Sequence, residues 1–197
     1  MRLLKMALLA VVLVQFIGVT AFAAPISFLH EGSGSGTIGG NPFNSAFRIR
    51  AMGDTANRQN YASNSFFIDH APGTVEIELV SLSLVSTFTT ATRTFMNNES
   101  TGLVGFSRAG VSGADLYNGP GNLGFWDMLS SFGPVTGGAS LLQWTNSPVN
   151  TSNGVLVFNN GGTQGRFTAR VGVPEPLSVI TFGLGLLGLA AARRRRS

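Results

Sequence analysis

Between residues 24 and 172 the chain is written in short runs in which apolar and polar side chains alternate. The cleanest is Thr74-Val75-Glu76-Ile77-Glu78-Leu79-Val80, whose period of two puts the apolar residues on one face of a β-strand. Leu82-Ser83-Leu84-Val85-Ser86-Thr87-Phe88 continues in the same manner. Further strands are expected at Pro25–His30, Ala46–Met52, Ser65–Asp69, Arg93–Met96, Leu103–Ser107, Leu141–Trp144, Val155–Phe158 and Gly165–Val171. Turn formers separate them: Gly39-Gly40-Asn41-Pro42, Ala71-Pro72-Gly73, Asn118-Gly119-Pro120-Gly121 and Asn159-Asn160-Gly161-Gly162. This spacing, with almost no helical periodicity, predicts an all-β body over 24–172, an antiparallel β-sandwich or jelly roll. One short helix is expected, at Trp126–Phe132. There is no repeat of fixed period, which argues against a solenoid.

Charge changes the picture once its position is considered. The 197 residues carry 13 basic and 9 acidic side chains, a formal charge of +4. Six of the basic ones, Arg2, Lys5 and Arg193 to Arg196, sit at the two ends. The body holds seven Arg against eight acids (7 − 8 = −1), with no basic stripe to meet phosphates, so no nucleic-acid partner is expected. The chain has no Cys and the body has no Lys. Disulfides, thiolate nucleophiles, Cys-ligated metals and lysine Schiff bases are therefore excluded from the body.

The remaining chemistry is sparse. Three stretches fit G-x-G-x-x-G: 34–39, 119–124 and 183–188. None has the strand-then-helix context that a phosphate loop needs. Glu76 and Glu78 lie two apart on one strand, about 6.6 Å at the Cα, near the spacing of a glycosidase carboxylate pair. The same pattern is also that of a solvated strand face. Asp69 and His70 are neighbours, but adjacent strand residues point to opposite faces. No cofactor is expected. The nearest candidate is a structural calcium at Asp54, Asp69, Asp115 or Asp127, for which the spacing offers no D-x-D-x-D-G loop. Trp126, Trp144 and Tyr117 are the aromatic candidates for stacking on a sugar, against the alternative that they fill the core. Asn98-Glu99-Ser100 and Asn150-Thr151-Ser152 fit a glycosylation sequon by accident of composition.

The ends carry the most specific signals. Residues 1–23 read as a signal peptide: basic Arg2 and Lys5, an apolar run from Met6 to Val14 extended to Val19, and Ala21-Phe22-Ala23 as a small–x–small site cleaved after Ala23. At the other end, Val173-Pro174-Glu175-Pro176 precedes sixteen uncharged residues, Leu177 to Ala192, and then Arg193-Arg194-Arg195-Arg196. Sixteen helical residues reach about 24 Å, a marginal transmembrane helix that flanking arginines and bilayer thinning can accommodate. The arginines hold the C-terminus on the cytoplasmic side, leaving the body outside.

This order of parts over 173–197 resembles the PEP-CTERM sorting signal, departing from its usual form only in Leu177 directly after the second proline. The resemblance implies an exosortase partner, a membrane-embedded cysteine transpeptidase cutting near Pro174-Glu175-Pro176. It implies an inner-membrane precursor in a Gram-negative bacterium and a mature body at the cell surface or in the extracellular matrix. The same C-terminal domain also occurs on some ice-binding proteins. The expected role is a non-enzymatic structural or interaction protein of a surface layer or biofilm matrix. The alternatives are a carbohydrate-binding module for exopolysaccharide, contacting sugar through Trp126, Trp144 or Tyr117, and a secreted hydrolase.

Overall fold

The computed structural model describes residues 24–99, 102–110 and 114–172. The expected signal peptide with Ala21 and Ala23, the 173–176 motif, the 177–192 span and the 193–196 arginines lie outside the described residues.

One hairpin organises the body. β1 (Pro25–Ile38) and β2 (Asn41–Asp54) each run 14 residues and pair in unbroken antiparallel register from Pro25↔Asp54 to Ile38↔Asn41. Gly39 and Gly40 both have positive φ, the backbone that a two-residue hairpin turn requires to match strand twist. The remaining strands are β3 (Gln59–Ala62), β4 (Ser65–His70), β5 (Val75–Leu79), β6 (Leu84–Thr87), β7 (Thr92–Asn97), β8 (Leu103–Arg108), β9 (Asp115–Gly121), β10 (Phe132–Gly138), β11 (Ser140–Leu141), β12 (Val149–Thr151), β13 (Gly154–Gly161) and β14 (Gln164–Val171). They form two antiparallel sheets. The first follows the order β10-β14-β1-β2-β5-β6, with β13 also on β1 and β12 on β13; the second is β11-β9-β8-β7-β4-β3. The first sheet curls until its far strands meet: Phe88 bridges Thr151, and the Ser152 N–H donates to the Thr87 carbonyl at 2.8 Å.

The alternation read from the sequence puts Val75, Ile77 and Leu79 of β5 in the core beside Phe28, Phe47, Ile49 and Phe167, facing Ile68, Met96, Val104 and Phe106 of the second sheet. Fully burying such a side chain is worth about 1.5–3 kcal/mol. Between the sheets lies a polar chain. The Thr94 N–H donates to His70 Nε2 at 3.1 Å, so the His70 proton sits on Nδ1 and is donated to the Met52 carbonyl at 3.0 Å. The Thr94 hydroxyl lies 3.0 Å from His70 Nε2 and 3.2 Å from His30 Nε2. It donates to the first and accepts from the second, which leaves His30 Nδ1 a buried acceptor without a partner among the described residues. Rings of Phe106, Tyr117 and Phe167 surround His30.

Several expectations shift. Residues 126–132 form no helix: Met128 has φ 62°, and the Trp126 N–H and carbonyl are both held by the Asn98 side chain. Asn118 to Gly121 belong to β9 instead of a turn, paired to β8 and β11. Leu82 lies in a 3-10 turn ended by left-handed Ser83, so that strand starts only at Leu84. The strand expected at Leu141–Trp144 stops at Leu141, and Trp144 turns into the core. β3 had no signal.

The buried histidines make stability depend on pH. Burial lowers the His30 pKa to about 3 and that of His70 to about 4, against 6.5 for the free side chain. Below pH 6.5 the unfolded chain takes up protons that the folded one refuses. Stability therefore falls as pH drops from 6.5 toward 4, by up to about 1.4 kcal/mol per pH unit for each histidine. The melting temperature should be flat from about pH 7 to about pH 9 and fall steadily below about pH 6. A profile flat to pH 4.5 would contradict the buried neutral pair.

Candidate functional site

The outward face of the second sheet is where side chains are left without a partner sheet. Its registers set three rows across the strands: Phe67–Phe95–Gly105–Asn118, Asp69–Arg93–Ser107–Asp115, and Ser65–Asn97–Leu103–Gly121. Period-two alternation sends these residues outward while Ile68, Thr94, Met96, Val104 and Phe106 point to the core. Gly105 opens the surface: a Cβ there would collide with the Phe95 ring, which lies across it. The hollow that results has a volume of about 430 Å³ and is walled by Tyr61, Phe67, Arg93, Phe95, Asn97, Leu103, Ser107, Ala114, Asp115 and Asn118.

Its walls combine apolar faces with fixed polar groups. Tyr61, 49% exposed, leans on Phe67 with ring centroids 6.2 Å apart. The Arg93 guanidinium lies 4.3 Å over the Phe67 ring, and its Nε donates to Asp69 Oδ1 at 2.9 Å. Stacking and ion pair together immobilise Arg93, and among the described residues no side chain takes its terminal N–H groups. Asp115 is half-buried with its carboxyl pKa raised by burial, and no cation pairs with it among the described residues. Asn118 Oδ1 is buried with no hydrogen-bond partner among them. A donor fork, a carboxylate and an unsatisfied amide oxygen thus converge beside aromatic faces. That arrangement matches a small ring with one apolar face and hydroxyls at its rim.

The residues expected to stack on sugar are elsewhere. Trp144 is fully buried against Phe158, at 4.9 Å between centroids. Trp126 is buried between Phe132 and Phe167, and its Nε1 donates to the Ser130 carbonyl at 3.1 Å. Tyr117 is buried beneath β1, donating its hydroxyl to the Glu31 carbonyl at 2.9 Å, and burial raises its pKa. None offers a ring face to solvent, so the stacking role moves off all three. The Tyr117 hydroxyl lies over Gly165, and both tryptophans belong to the core cluster.

The acidic candidates also resolve. Glu78 takes Arg48 at 3.2 Å and Arg50 at 2.9 Å on the outward face of the first sheet; the hydrogen bond from Arg50 leads in holding its carboxyl below the usual range. Glu76 stands opposite Arg50 in the same register, so these two carboxylates belong to a solvated ionic face with no cleft between them. Asp54 Oδ1 accepts from the Ala56 N–H, and Asp127 Oδ1 from the Leu129 N–H, both local turn bonds. No group of three His, Cys, Asp or Glu able to hold a metal occurs among the described residues. Of the four aspartates, only Asp115 reaches the hollow. Its other polar walls escaped sequence reasoning, although Arg93, Phe95 and Asn97 stand at alternate positions of one strand and so share its outward face.

Comparison with known proteins returns no match: no family model fits the chain, no curated protein is similar to it, and no solved structure matches it.

With both indoles inside, acrylamide should quench the tryptophan emission of the native protein only weakly and reach the free-indole value on unfolding. Strong quenching in the native state would return Trp126 or Trp144 to the surface.

Proposed function

We propose that this chain is an exported binding protein, delivered to the cell surface or extracellular matrix, whose second sheet holds a carbohydrate. The observation that carries the binding role is the hollow over Gly105, where Tyr61 and the Arg93-capped Phe67 stand beside Asp115, Asn97 and Asn118. A pyranose presents one apolar face and several hydroxyls, and a wall of this composition satisfies both. The hydrolase alternative finds less support, because a single carboxylate, Asp115, lines the hollow and hydrolysis of this kind asks for two working carboxyls. The sandwich or jelly-roll architecture serves this role by holding a broad, rigid sheet toward solvent.

Delivery rests on the ends. The 173–197 segment resembles a PEP-CTERM signal, and the 1–23 segment reads as a signal peptide. The Thr55 N–H donates to the Ala24 carbonyl at 3.0 Å and the Gly172 N–H to the Pro25 carbonyl at 2.7 Å, so both ends of the body leave from one pole. An exosortase in the inner membrane is the processing partner; exopolysaccharide is the matching ligand source.

Surface-released protein should bind a neutral glycan in calorimetric titration against a panel that includes the host exopolysaccharide. Tyr61→Ala or Arg93→Ala should weaken that binding tenfold or more, about 1.4 kcal/mol, with the melting transition retained. Unaltered affinity in both variants would overturn the assignment of this hollow.

Sorting is tested separately. Glu175→Ala should leave the melting temperature unchanged while full-length precursor accumulates in the inner membrane. If that variant reached the surface with wild-type mass and yield, the 173–197 segment would not be a processing signal.

A further inference from the structure

The loop from Asn122 to Ser131 is built to display apolar side chains. Asn122 and Met128 are both left-handed, at φ 60° and 62°, a conformation that persists only where surrounding contacts hold it. Asn98 grips both backbone groups of Trp126, the Trp126 indole donates to the Ser130 carbonyl, and an Arg58 Nη donates to the Asp127 carbonyl at 3.1 Å. Trp126 and Met128 go into the core. Phe125 and Leu129 are left outside, 67% and 43% exposed.

This loop shares the pole from which the chain ends depart. The Val171 N–H donates to Ser131 Oγ at 2.9 Å, Phe132 pairs with Ala169, and Gly172 is tied to Pro25. From Gly172 to Leu177, the first residue of the apolar run, are five Cα steps, at most about 18 Å of chain. A body tethered that closely to a membrane span must hold this pole at the bilayer surface. We propose that in the precursor the 122–131 loop docks on that bilayer, with Phe125 and Leu129 entering the headgroup boundary. The occupant is lipid and not a second copy, because the tether brings the loop to the membrane in every molecule. Charges of both signs lie nearby, Arg58 and Arg170 with Asp54, Asp127 and Glu99, so the docking is apolar and indifferent to lipid charge. Phe and Leu are among the side chains that interface-bound segments bury at this depth of a membrane.

The inference rests on reading 177–192 as a membrane span, and the chain's lack of cysteine permits a clean test of both. Phe125→Cys, Leu129→Cys and, as a control, Asn41→Cys are made in the full-length precursor and labelled with an environment-sensitive fluorophore. Asn41 is exposed at the far end of β2, roughly 40 Å along the strand from Asp54. The proteins are reconstituted in phosphatidylcholine vesicles, with and without phosphatidylglycerol. Labels at 125 and 129 should emit blue-shifted and be quenched by spin-labelled lipid in both compositions, with the label at 41 as in water. If the precursor floats with vesicles but all three labels stay wet, the docking fails and the anchor stands. If it does not float, both fail. Shielding at 125 and 129 that depends on protein concentration and resists lipid quenchers assigns the loop to a second copy and overturns the proposal.

Discussion

One edge of β1 has to satisfy two strands in succession, and the rest of the body is arranged around that requirement. A 14-residue strand buried on both edges needs a partner for every inward N–H and C=O, and no single neighbour supplies them all. Residues Ile26 to Glu31 take β14, and Gly34 to Ile38 take β13. The handover falls at the sequence Gly32-Ser33-Gly34-Ser35-Gly36, where the register with β13 slips between Ser35 and Gly36. At Gly36 any Cβ would sit inside the Val157 carbonyl, so only glycine lets the two backbones approach. The G-x-G-x-x-G beginning at Gly34 is thus a strand junction with no phosphate to hold.

The curl of the first sheet follows from the handover. Because β13 and β14 diverge along β1, the sheet bends until β12 lies against Thr87 and Phe88. The enclosed volume is too wide for small side chains. Phe47 and Phe158 fill it, at 5.1 Å between centroids, with Phe43 and Trp144 behind them. At the opposite end of β1 the space between sheets receives His30 and His70. Their shared Thr94 hydroxyl ties β1 to β4 and β7, which fixes one sheet against the other with direction that apolar contacts lack. The outward positions of β4 and β7 that build the hollow are held by the same strands.

Much of the fold was legible because it is local. Val75 to Leu79 reads as a strand from its alternation alone, and β7 and β8 come within a residue or two of their observed bounds. What was illegible depends on partners distant in sequence. Asn118 to Gly121 carries turn-forming residues, yet pairing to Leu103 and Ser140 keeps it extended. Residues 126–132 have helix-compatible spacing, but Asn98, 28 positions away, fixes Trp126 in a loop. The site was hidden for the same reason. Its residues come from five strands, Tyr61 lies on a four-residue strand with no periodicity, and the decisive position, Gly105, has no side chain to notice.

The fate of the aromatic residues explains where the surface is left open. A glycine-rich sheet leaves hollows on its inner side wherever a Cβ is missing, and an empty hollow forfeits packing. Here the largest rings are consumed by that need: Phe47 lies over Gly32, Leu141 and Phe158 over Gly34, and the Tyr117 hydroxyl over Gly165. Trp126 and Trp144 are also in the core, packed on Phe132, Phe167 and Phe158, and a tryptophan so placed is unavailable to a sugar. Gly105 is the exception, since its missing Cβ faces outward. Phe95 lies flat across it and lowers the floor between Arg93, Leu103 and Asn118, so the same device that packs the interior makes a recess on the exterior. Filling Gly105 would therefore remove the recess while leaving the core untouched. The proposed binding face is thus separable from the stability of the body, a property that the buried tryptophans cannot offer.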